Sequence, residues 1–289
     1  MSNSNLWVAG ARPRTLPAAI APVLVGTSLI RRDHHAINYP NALLALLVSL
    51  LLQIAVNYSN DYSDGIRGTD DSRVGPIRLV ASGLASARAV KQAAIIAFAF
   101  AATAGVILAV RSSWWLILVG AISILAAWTY TGGKRPYGYS GFGEISVFIF
   151  FGLVATVGSY VAQSNHISWQ SVLVSLPVGA LSCSLLAINN LRDLPKDSLV
   201  SKRTLAVRLG DKRARHMFIG LLLFAHVSAA LAALITPWAL ITLLFAPFTW
   251  QIIKAIQAGA QGAALIPMLG RIGKLQLFLS LSLALALLV

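Results

Sequence analysis

The stretch that decides the fold of this chain is VNYSNDYSDGIRGTDDSR, residues 56–73, which ends the apolar run LLALLVSLLLQIAV at 43–56. The chain has only nine acidic residues, and four of them, Asp61, Asp64, Asp70 and Asp71, lie within eleven positions of this stretch. The acids gather where an apolar helix would leave a membrane. Ionisable groups at such an edge are costly, and they mark functional sites by default.

The composition is that of an integral membrane protein. Hydrophobic residues make up 57% of the chain and charged residues 11%, with a mean hydropathy of +0.75, whereas soluble domains carry about 25% charged residues. Long continuous apolar runs favour helices over the short alternating strands of a β-barrel. The runs predict an all-α fold with nine spans, at 15–30, 41–59, 92–110, 112–131, 143–162, 170–188, 216–235, 237–253 and 272–289.

The first span could be read as a signal peptide, but its sequence favours an uncleaved helix. Arg12 and Arg14 lead into a run that Pro17 and Pro22 interrupt, and no small-residue cleavage site follows. Helices in a membrane tolerate such prolines where neighbouring groups satisfy the freed backbone.

The net charge of +14 is explained by topology, which excludes a nucleic-acid partner. With nine spans and a cytoplasmic N-terminus, all Lys and Arg except Arg31, Arg32 and Arg111 face the cytoplasm. This obeys the positive-inside rule and suits contacts with anionic membrane lipid. We therefore expect a multi-pass protein of the plasma membrane.

Two similar motifs end the second and sixth spans. Asn57-x-x-x-Asp61 recurs as Asn189-x-x-x-Asp193, ahead of two long cytoplasmic segments at about 60–91 and 190–215. The recurrence suggests a single domain over 1–289 that contains a duplicated four-helix unit, at about 15–131 and 143–253.

The spacing of the acids predicts a metal site. Asn57, Asp61 and Asp64 follow at intervals of four and three residues, which places them on one face of a helix. Asn189 and Asp193 share a face likewise, whereas Pro195 is expected to end that helix and leave Asp197 on a loop.

Clustered carboxylates repel one another unless a cation lies between them. Oxygen ligands select Mg²⁺, which completes its shell with water and substrate phosphates. Two motifs suit two ions on a diphosphate, and nearby cations suit its remaining charge: Arg67, Arg73, Arg78, Lys202 and Arg203. The alternative is a solvated loop in which the acids pair with these cations.

A third motif, YTGGKRPYGY at 130–139, ends the fourth span on the same side. Its glycines permit turns and its tyrosines offer flat amphipathic faces, so it predicts a pocket for an aromatic substrate. Lys134 or Arg135 would meet an anionic group there. An ordinary interfacial turn is the alternative.

These motifs, together with GPIRLVASG at 75–83, NNLRDLPKD at 189–197 and KRTLAVRLG at 202–210, resemble the UbiA-type intramembrane prenyltransferases. WVAGARPRTLPAA at 7–19 and TGGKRPYGY resemble the branch that uses 1,4-dihydroxy-2-naphthoate. The resemblance covers essentially the whole chain. It implies a nine-helix bundle with a central cavity and cytoplasmic cap loops.

The resemblance also implies the reaction: Mg²⁺-dependent transfer of a polyprenyl group from polyprenyl diphosphate to 1,4-dihydroxy-2-naphthoate, with loss of CO₂, giving demethylmenaquinone. It assigns catalytic or metal-binding roles to Asn57, Asp61, Asp64, Asp193 and Asp197, with Lys134 as a further catalytic candidate. Its two motifs map to positions that include Asn60, Asn189 and Asn190. For this reaction we expect the diphosphate to be bound by Asn60, Arg67, Arg78, Asn189, Lys202 and Arg203, and the pocket to be formed by Tyr58, Tyr130, Arg135, Tyr137, Tyr139 and Phe148. Many relatives have a third Asp where Gly68 stands here, a position for which Asp70 or Asp71 could substitute.

Other functions stay open at this point. A related prenyltransferase could use 4-hydroxybenzoate, homogentisate or haem. A CDP-alcohol phosphatidyltransferase is disfavoured, because its motif needs Ala-Arg where Gly68 and Thr69 stand. A cation-coupled transporter is disfavoured because its carboxylates usually lie near the bilayer midplane.

Overall fold

The computed structural model describes residues 3–33, 35–69, 77–200 and 202–289, with side chains from residue 5 onward. These residues form helices joined by short connections, and no strand occurs among them. In chain order the helices are α1 (Asn3–Ala11), α2 (Pro17–Arg32), α3 (Tyr39–Ile66), α4 (Ala87–Arg111), α5 (Trp115–Thr129), α6 (Gly143–Ser164), α7 (Trp169–Asp197), α8 (Leu205–Leu234), α9 (Pro237–Gln257) and α10 (Gly262–Leu288).

Seven of these helices, α3, α4 and α6–α10, are long and apolar enough to cross a membrane. The first apolar segment is a pair of helices, Asn5–Thr15 and Pro17–Arg32, that meet at a bend of 53° and together count as an eighth candidate. The fourth predicted span corresponds to α5, an apolar helix of only 15 residues, shorter than a typical spanning helix of about 17–25 residues. The multi-pass, all-helical fold is thus confirmed, with seven or eight full-length candidates among the described residues.

The two motif helices are longer than hydropathy predicts. α3 continues to Ile66, so Asn57, Asp61 and Asp64 are helical, as their spacing predicts. The prediction of a long second loop at about 190–215 is wrong, because α7 reaches Asp197 and α8 begins at Leu205. Hydropathy falls where polar residues begin, but polar residues continue a helix that packs on its neighbours.

The prediction that Pro195 ends the helix is also wrong, since α7 includes it and ends at Asp197. A proline removes one backbone hydrogen bond to the preceding turn. Only two residues follow Pro195 in α7, so the interruption falls in the last turn. Asp193 and Asp197 therefore project from one helix.

Helix α7 is the central element. Of its most apolar window, 78% is buried, against 33–56% for the other six long helices. It crosses α6 at a glycine pair, where a Cβ on Gly152 would lie 2.6 Å from the Cα of Gly179. Small residues allow helices to approach this closely in membrane proteins. The second motif therefore lies at the C-terminal end of the most deeply buried of the seven long helices.

Candidate active site

A cavity of about 300 Å³ lies among α2–α7. Most of its wall is apolar, with Val48, Leu108 and Phe150 among the lining side chains. Polar side chains line it at the C-terminal ends of α3, α5 and α7 and beside the start of α2, namely Asn57, Asn60, Tyr130, Asn189 and Arg12. The cavity therefore suits a molecule with a hydrocarbon body and a polar head.

Asn57 connects this polar end to the segment that precedes α2. Its amide group donates hydrogen bonds to the carbonyl of Ala11 (2.8 Å) and the hydroxyl of Thr15 (3.1 Å). Its oxygen accepts one from Gln53 (3.2 Å). Each polar atom of the buried Asn57 side chain thus has a protein partner, which fixes its orientation.

Asp61 is almost fully buried, with 1% of its surface exposed. One carboxylate oxygen accepts the backbone N–H of Leu79 (2.9 Å), and the other accepts that of Val80 (3.0 Å). Both oxygens of this buried carboxylate therefore have backbone donors, as buried polar groups require. Asp61 therefore anchors the segment that follows the first motif, whatever further role its remaining lone pairs have.

Asp64 lies three residues further along α3 and meets different partners. The hydroxyl of Tyr139 donates a hydrogen bond of 2.6 Å to its Oδ1 atom. The guanidinium group of Arg78 lies 3.8 Å from its Oδ2 atom, and both side chains are buried. An ionised carboxylate beside an arginine at the end of a membrane helix is suited to a polar ligand that carries further charge.

Arg67 connects α3 with the loop after α5. It donates hydrogen bonds to the carbonyls of Thr131 and Gly133, each at 2.5 Å, and to that of Ser63 at 3.1 Å. On the same loop, the hydroxyl of Thr131 donates to Asn60 (2.7 Å). The YTGGKRPYGY motif is therefore held directly against the first acidic motif.

The second motif begins at the cavity. Asn189 lines it and donates to the carbonyl of Leu185 on its own helix (2.8 Å). Asn190 turns to the other side and donates to the buried carboxylate of Glu144 on α6 (2.9 Å). Asp193 forms two hydrogen bonds of 2.7 Å with Arg192, whose side chain is fully buried.

The two motifs meet around Tyr139. Lys202 lies 3.7 Å from a carboxylate oxygen of Asp197, and its ammonium group also lies 5.3 Å from the centre of the Tyr139 ring. The guanidinium carbon of Arg67 lies 5.6 Å from the same ring centre. Burial and the nearby Asp64 carboxylate both raise the pKa of Tyr139, so its hydroxyl remains a donor at neutral pH.

Five of the residues that the sequence assigns to the site line the cavity: Asn57, Asn60, Tyr130, Tyr137 and Asn189. The motif carboxylates, the cations beside them and Tyr139 lie outside this lining, and so do Tyr58, Phe148, Lys134, Arg135 and Arg203. The hydroxyl of Tyr58 donates to the carbonyl of Trp7 (2.8 Å), and Phe148 packs against Gly179. Lys134, Arg135 and Arg203 are exposed. Asp70, Asp71 and Arg73 lie outside the described residues.

Arg12 is a site residue that sequence reasoning treats only as a topology signal. It lines the cavity and donates to the backbone carbonyl of Asn57 (3.3 Å). Its backbone φ is +53°, a left-handed conformation that non-glycine residues rarely adopt. Such backbone strain clusters at functional sites. In the sequence, the signal that could have identified Arg12 as a site residue is its place in the ARPRTLPAA segment, which resembles the corresponding segment of the UbiA-type prenyltransferases.

The oxygen atoms of the two motifs suit a Mg²⁺ ion that is bound partly by water and substrate, and in the part of the chain that the structure describes they do not form a metal site made of protein ligands alone. Among the described residues, no three Asp, Glu, His or Cys side chains converge as a metal site. Carboxylate and amide oxygens are nevertheless gathered on both motif helices, with Arg78 and Lys202 beside them. This donor set suits an ion that takes one or two carboxylates and completes its shell with water and phosphate oxygens.

An apolar cavity inside a helical membrane bundle, with the amides of Asn57, Asn60 and Asn189 and the guanidinium group of Arg12 among its lining, is typical of a membrane protein that holds a molecule with an apolar body and a polar head. The model of the UbiA prenyltransferase family matches residues 19–286. The chain belongs to this family, as its motifs predict.

Curated relatives match over nearly the whole chain. A 1,4-dihydroxy-2-naphthoate octaprenyltransferase of Mycobacterium tuberculosis is 50% identical over 284 residues, covering 98% of this chain and 97% of that protein. The Escherichia coli protein of the same name is 37% identical, covering 94% and 91%. The fold is similar to that of a UbiA homolog from Archaeoglobus fulgidus solved bound to GPP and Mg²⁺, with a TM-score of 0.68 at 14% identity, over 96% of this chain and 99% of that one.

Proposed function

We propose that this protein transfers a polyprenyl group from a polyprenyl diphosphate to 1,4-dihydroxy-2-naphthoate, with Mg²⁺ as cofactor. The observation that carries the proposal is the cavity, which is apolar along most of its wall and reaches the asparagines of both motifs, Asn57, Asn60 and Asn189. The 50% identity to a curated 1,4-dihydroxy-2-naphthoate octaprenyltransferase supports the acceptor.

The reaction begins when the allylic C–O bond breaks and its electron pair leaves with the diphosphate. Arg78 and Lys202, each beside a motif carboxylate, are placed to stabilise the charge that develops on the leaving group. Asp61, Asp64, Asp193 and Asp197 are the residues that would hold Mg²⁺, with Asn60 and Asn189 beside them. The side chain of Asn57, the fifth predicted ligand, is bonded to Ala11, Thr15 and Gln53 instead. When bound, Mg²⁺ supplies electrophilic stabilisation of the departing diphosphate. Two ions suit the two motifs.

The allylic cation must meet the aromatic ring before it meets water. Tyr130 and Tyr137 line the cavity near its polar end and offer ring faces to a cation. The ring carbon that bears the carboxylate forms the new C–C bond. That carbon then loses CO₂, and the electron pair of the broken bond restores the aromatic ring. The product is the quinol form of demethylmenaquinone.

Lys134 is the proposed partner of the naphthoate carboxylate. It is exposed on the loop that Arg67 holds against α3, so it can approach a substrate that enters from the cytoplasm. A Lys134→Ala protein should show a raised KM for naphthoate and an unchanged KM for the prenyl donor. An unchanged KM for naphthoate would remove Lys134 from the site.

The membrane arrangement that we propose has nine crossings, with α5 as a short one, a cytoplasmic N-terminus and the site on the cytoplasmic face of the plasma membrane. The charge distribution supports it, because this orientation leaves only Arg31, Arg32 and Arg111 outside. The described residues that follow α3 and α7, at 67–69, 77–86 and 198–200, would form part of the cap. The packing of α3 along α4, and of α7 along α8, supports a duplicated unit within a single domain.

The deciding experiment is turnover by detergent-purified protein, with geranylgeranyl diphosphate and 1,4-dihydroxy-2-naphthoate, with Mg²⁺ and separately with EDTA. We expect a prenylated product that has lost CO₂, detected by mass spectrometry and absent with EDTA. Prenylation of 4-hydroxybenzoate instead would keep the metal site and overturn the acceptor. A folded protein that prenylates no aromatic acceptor would overturn the proposal.

A further inference from the structure

Tyr139 stands between the two acidic motifs without lining the cavity. Its side chain is buried, with 8% of the residue exposed. The hydroxyl donates to Asp64 of the first motif, at 2.6 Å. The ring lies beside Lys202, which pairs with Asp197 of the second motif. One side chain therefore contacts both halves of the site.

The backbone around Tyr139 holds this side chain in place. Tyr139 lies in a short 3-10 turn, Tyr137–Ser140, followed by Gly141 at a φ of +83°. Gly138 lies so close to α5 that a Cβ there would be 2.6 Å from the carbonyl oxygen of Tyr130. These glycines are needed for the conformation and the close approach, so the loop delivers Tyr139 to a defined position.

Arg67, at the end of α3, holds the loop that carries Tyr139 in place. Its guanidinium group bonds to the carbonyls of Thr131 and Gly133 and lies beside the Tyr139 ring. The ring thus has two cations within cation–π distance: Arg67, which follows the first motif, and Lys202, which pairs with Asp197 of the second. A tyrosine with both a hydroxyl donor and a ring can make these contacts simultaneously, whereas phenylalanine makes only the ring contacts.

We propose that Tyr139 is a positioning residue that couples the two motifs, so that Asp64 and Lys202 face the same diphosphate. The hydroxyl fixes one oxygen of Asp64, and the ring limits where the Lys202 ammonium can lie. Tyr139 would act through these two groups and not on the reacting atoms. This inference rests on the proposed function, because it takes the diphosphate as the common ligand.

The test without catalysis is the thermal unfolding of the purified full-length protein, titrated with inorganic diphosphate at fixed Mg²⁺. Wild-type protein should be stabilised as the ligand binds. Tyr139→Phe should need about tenfold more diphosphate for half the effect, the value of one hydrogen bond to a charged group. Tyr139→Leu, which also loses the ring, should need more still.

Tyr160→Phe is the matched control. Tyr160 is likewise buried and donates to a carboxylate, Asp33, but it lies at the opposite ends of α2 and α6 from the motifs. The Tyr160→Phe protein should bind diphosphate as tightly as wild type, although it also loses a tyrosine hydroxyl. If Tyr139→Phe does not yield folded protein, Tyr139→His, which retains an N–H donor, should lie between Leu and wild type.

The activity assay separates this inference from the proposed function. We expect Tyr139→Phe to raise the KM for prenyl diphosphate and for Mg²⁺ while leaving the KM for naphthoate unchanged. The positioning role would be overturned if Tyr139→Phe reached half of its stabilisation at the same diphosphate concentration as wild type. It would also be overturned if Tyr160→Phe needed as much additional diphosphate as Tyr139→Phe. Wild-type protein that neither binds diphosphate nor prenylates naphthoate would overturn the proposed function instead.

Discussion

The side-chain amide of Asn57 donates a hydrogen bond of 2.8 Å to the carbonyl of Ala11. The residue types of the first motif suggest a metal ligand at this position, but the contacts describe a connection between α3 and the start of α2. An aspartate at position 57 would still offer Mg²⁺ an oxygen ligand. It would, however, place a carboxylate oxygen, which can only accept a hydrogen bond, against the carbonyl oxygen of Ala11, which is also an acceptor.

Asn57→Asp should therefore destabilise the protein by about 1–3 kcal/mol, the cost of leaving a buried acceptor unsatisfied. Asn60→Asp is the matched control, because Asn60 accepts from Thr131 and a carboxylate retains that oxygen. Thermal unfolding of both variants in detergent measures the difference. If Asn57→Asp kept wild-type stability and Mg²⁺ dependence, Asn57 would be a ligand without this structural role.

Asp61 is expected to behave as a structural anchor as well as a candidate ligand. Asp61→Asn would turn an NH₂ group towards the N–H of either Leu79 or Val80, because each carboxylate oxygen accepts one of them. We expect a loss of about 1–3 kcal/mol in unfolding free energy even without Mg²⁺.

Asp211→Asn is the comparison for Asp61→Asn, since Asp211 pairs with Arg215 at a more exposed site. Exposed ion pairs contribute about 0–1 kcal/mol, so this variant should unfold close to wild type. Equal stability of the two variants in EDTA would show that Asp61 does not anchor the segment at Leu79.

The sequence predicts those features that depend on local periodicity. Each of the nine apolar runs coincides with a helix, and the i, i+4 spacing of Asn57 and Asp61 places both on α3. Helix ends are less predictable, because α7 passes Pro195 and ends only at Asp197. Hydropathy measures the preference of a segment for lipid, whereas the packing of the segment determines where the helix stops.

The partners of the acidic residues could not be predicted from spacing. Asp61 bonds to Leu79 and Val80, and Asp64 bonds to Tyr139, 75 positions away. Sequence reasoning gave Tyr139 a place in the substrate pocket because of its residue type. Its position between the motifs depends on the turn at Gly138 and on the crossing of helices, which no local pattern encodes.

The hydroxyl of Tyr139 should lose its proton at a higher pH than an ordinary tyrosine. Burial, and then the Asp64 carboxylate, raise its pKa above the ordinary value of about 10. Because the folded protein holds this proton more tightly, the stability it contributes is complete below about pH 10. That contribution declines as the pH rises from there towards the raised pKa.

Unfolding midpoints of wild type and Tyr139→Phe, followed from pH 7 to 11, measure this contribution. The difference between the two proteins should be constant up to about pH 9 and should shrink above pH 10. A difference that already changes between pH 7 and 9 would contradict a raised pKa. Lysine residues titrate in the same range but are common to both proteins.

Gly158 of α6 should set the room available to the prenyl chain. It lines the cavity, and a Cβ added there would meet no atom within 4 Å. Glycine inside a helix costs about 0.5–1 kcal/mol relative to alanine, and no packed neighbour requires it here. We therefore expect the open space beside Gly158 to hold substrate, and Gly158→Ala to fold at least as stably as wild type.

Gly158→Leu would fill that space with a branched side chain. Crowding of a bound chain costs about 1–3 kcal/mol, so turnover of geranylgeranyl diphosphate should fall about 5- to 150-fold. Turnover of geranyl diphosphate should fall much less, because the shorter chain reaches less far into the cavity. Gly220→Leu is the matched control, since a Cβ at Gly220 also meets nothing within 4 Å but Gly220 lies outside the cavity. An equal loss for both donors, or the same selectivity in Gly220→Leu, would show that the space at Gly158 does not hold the distal prenyl chain.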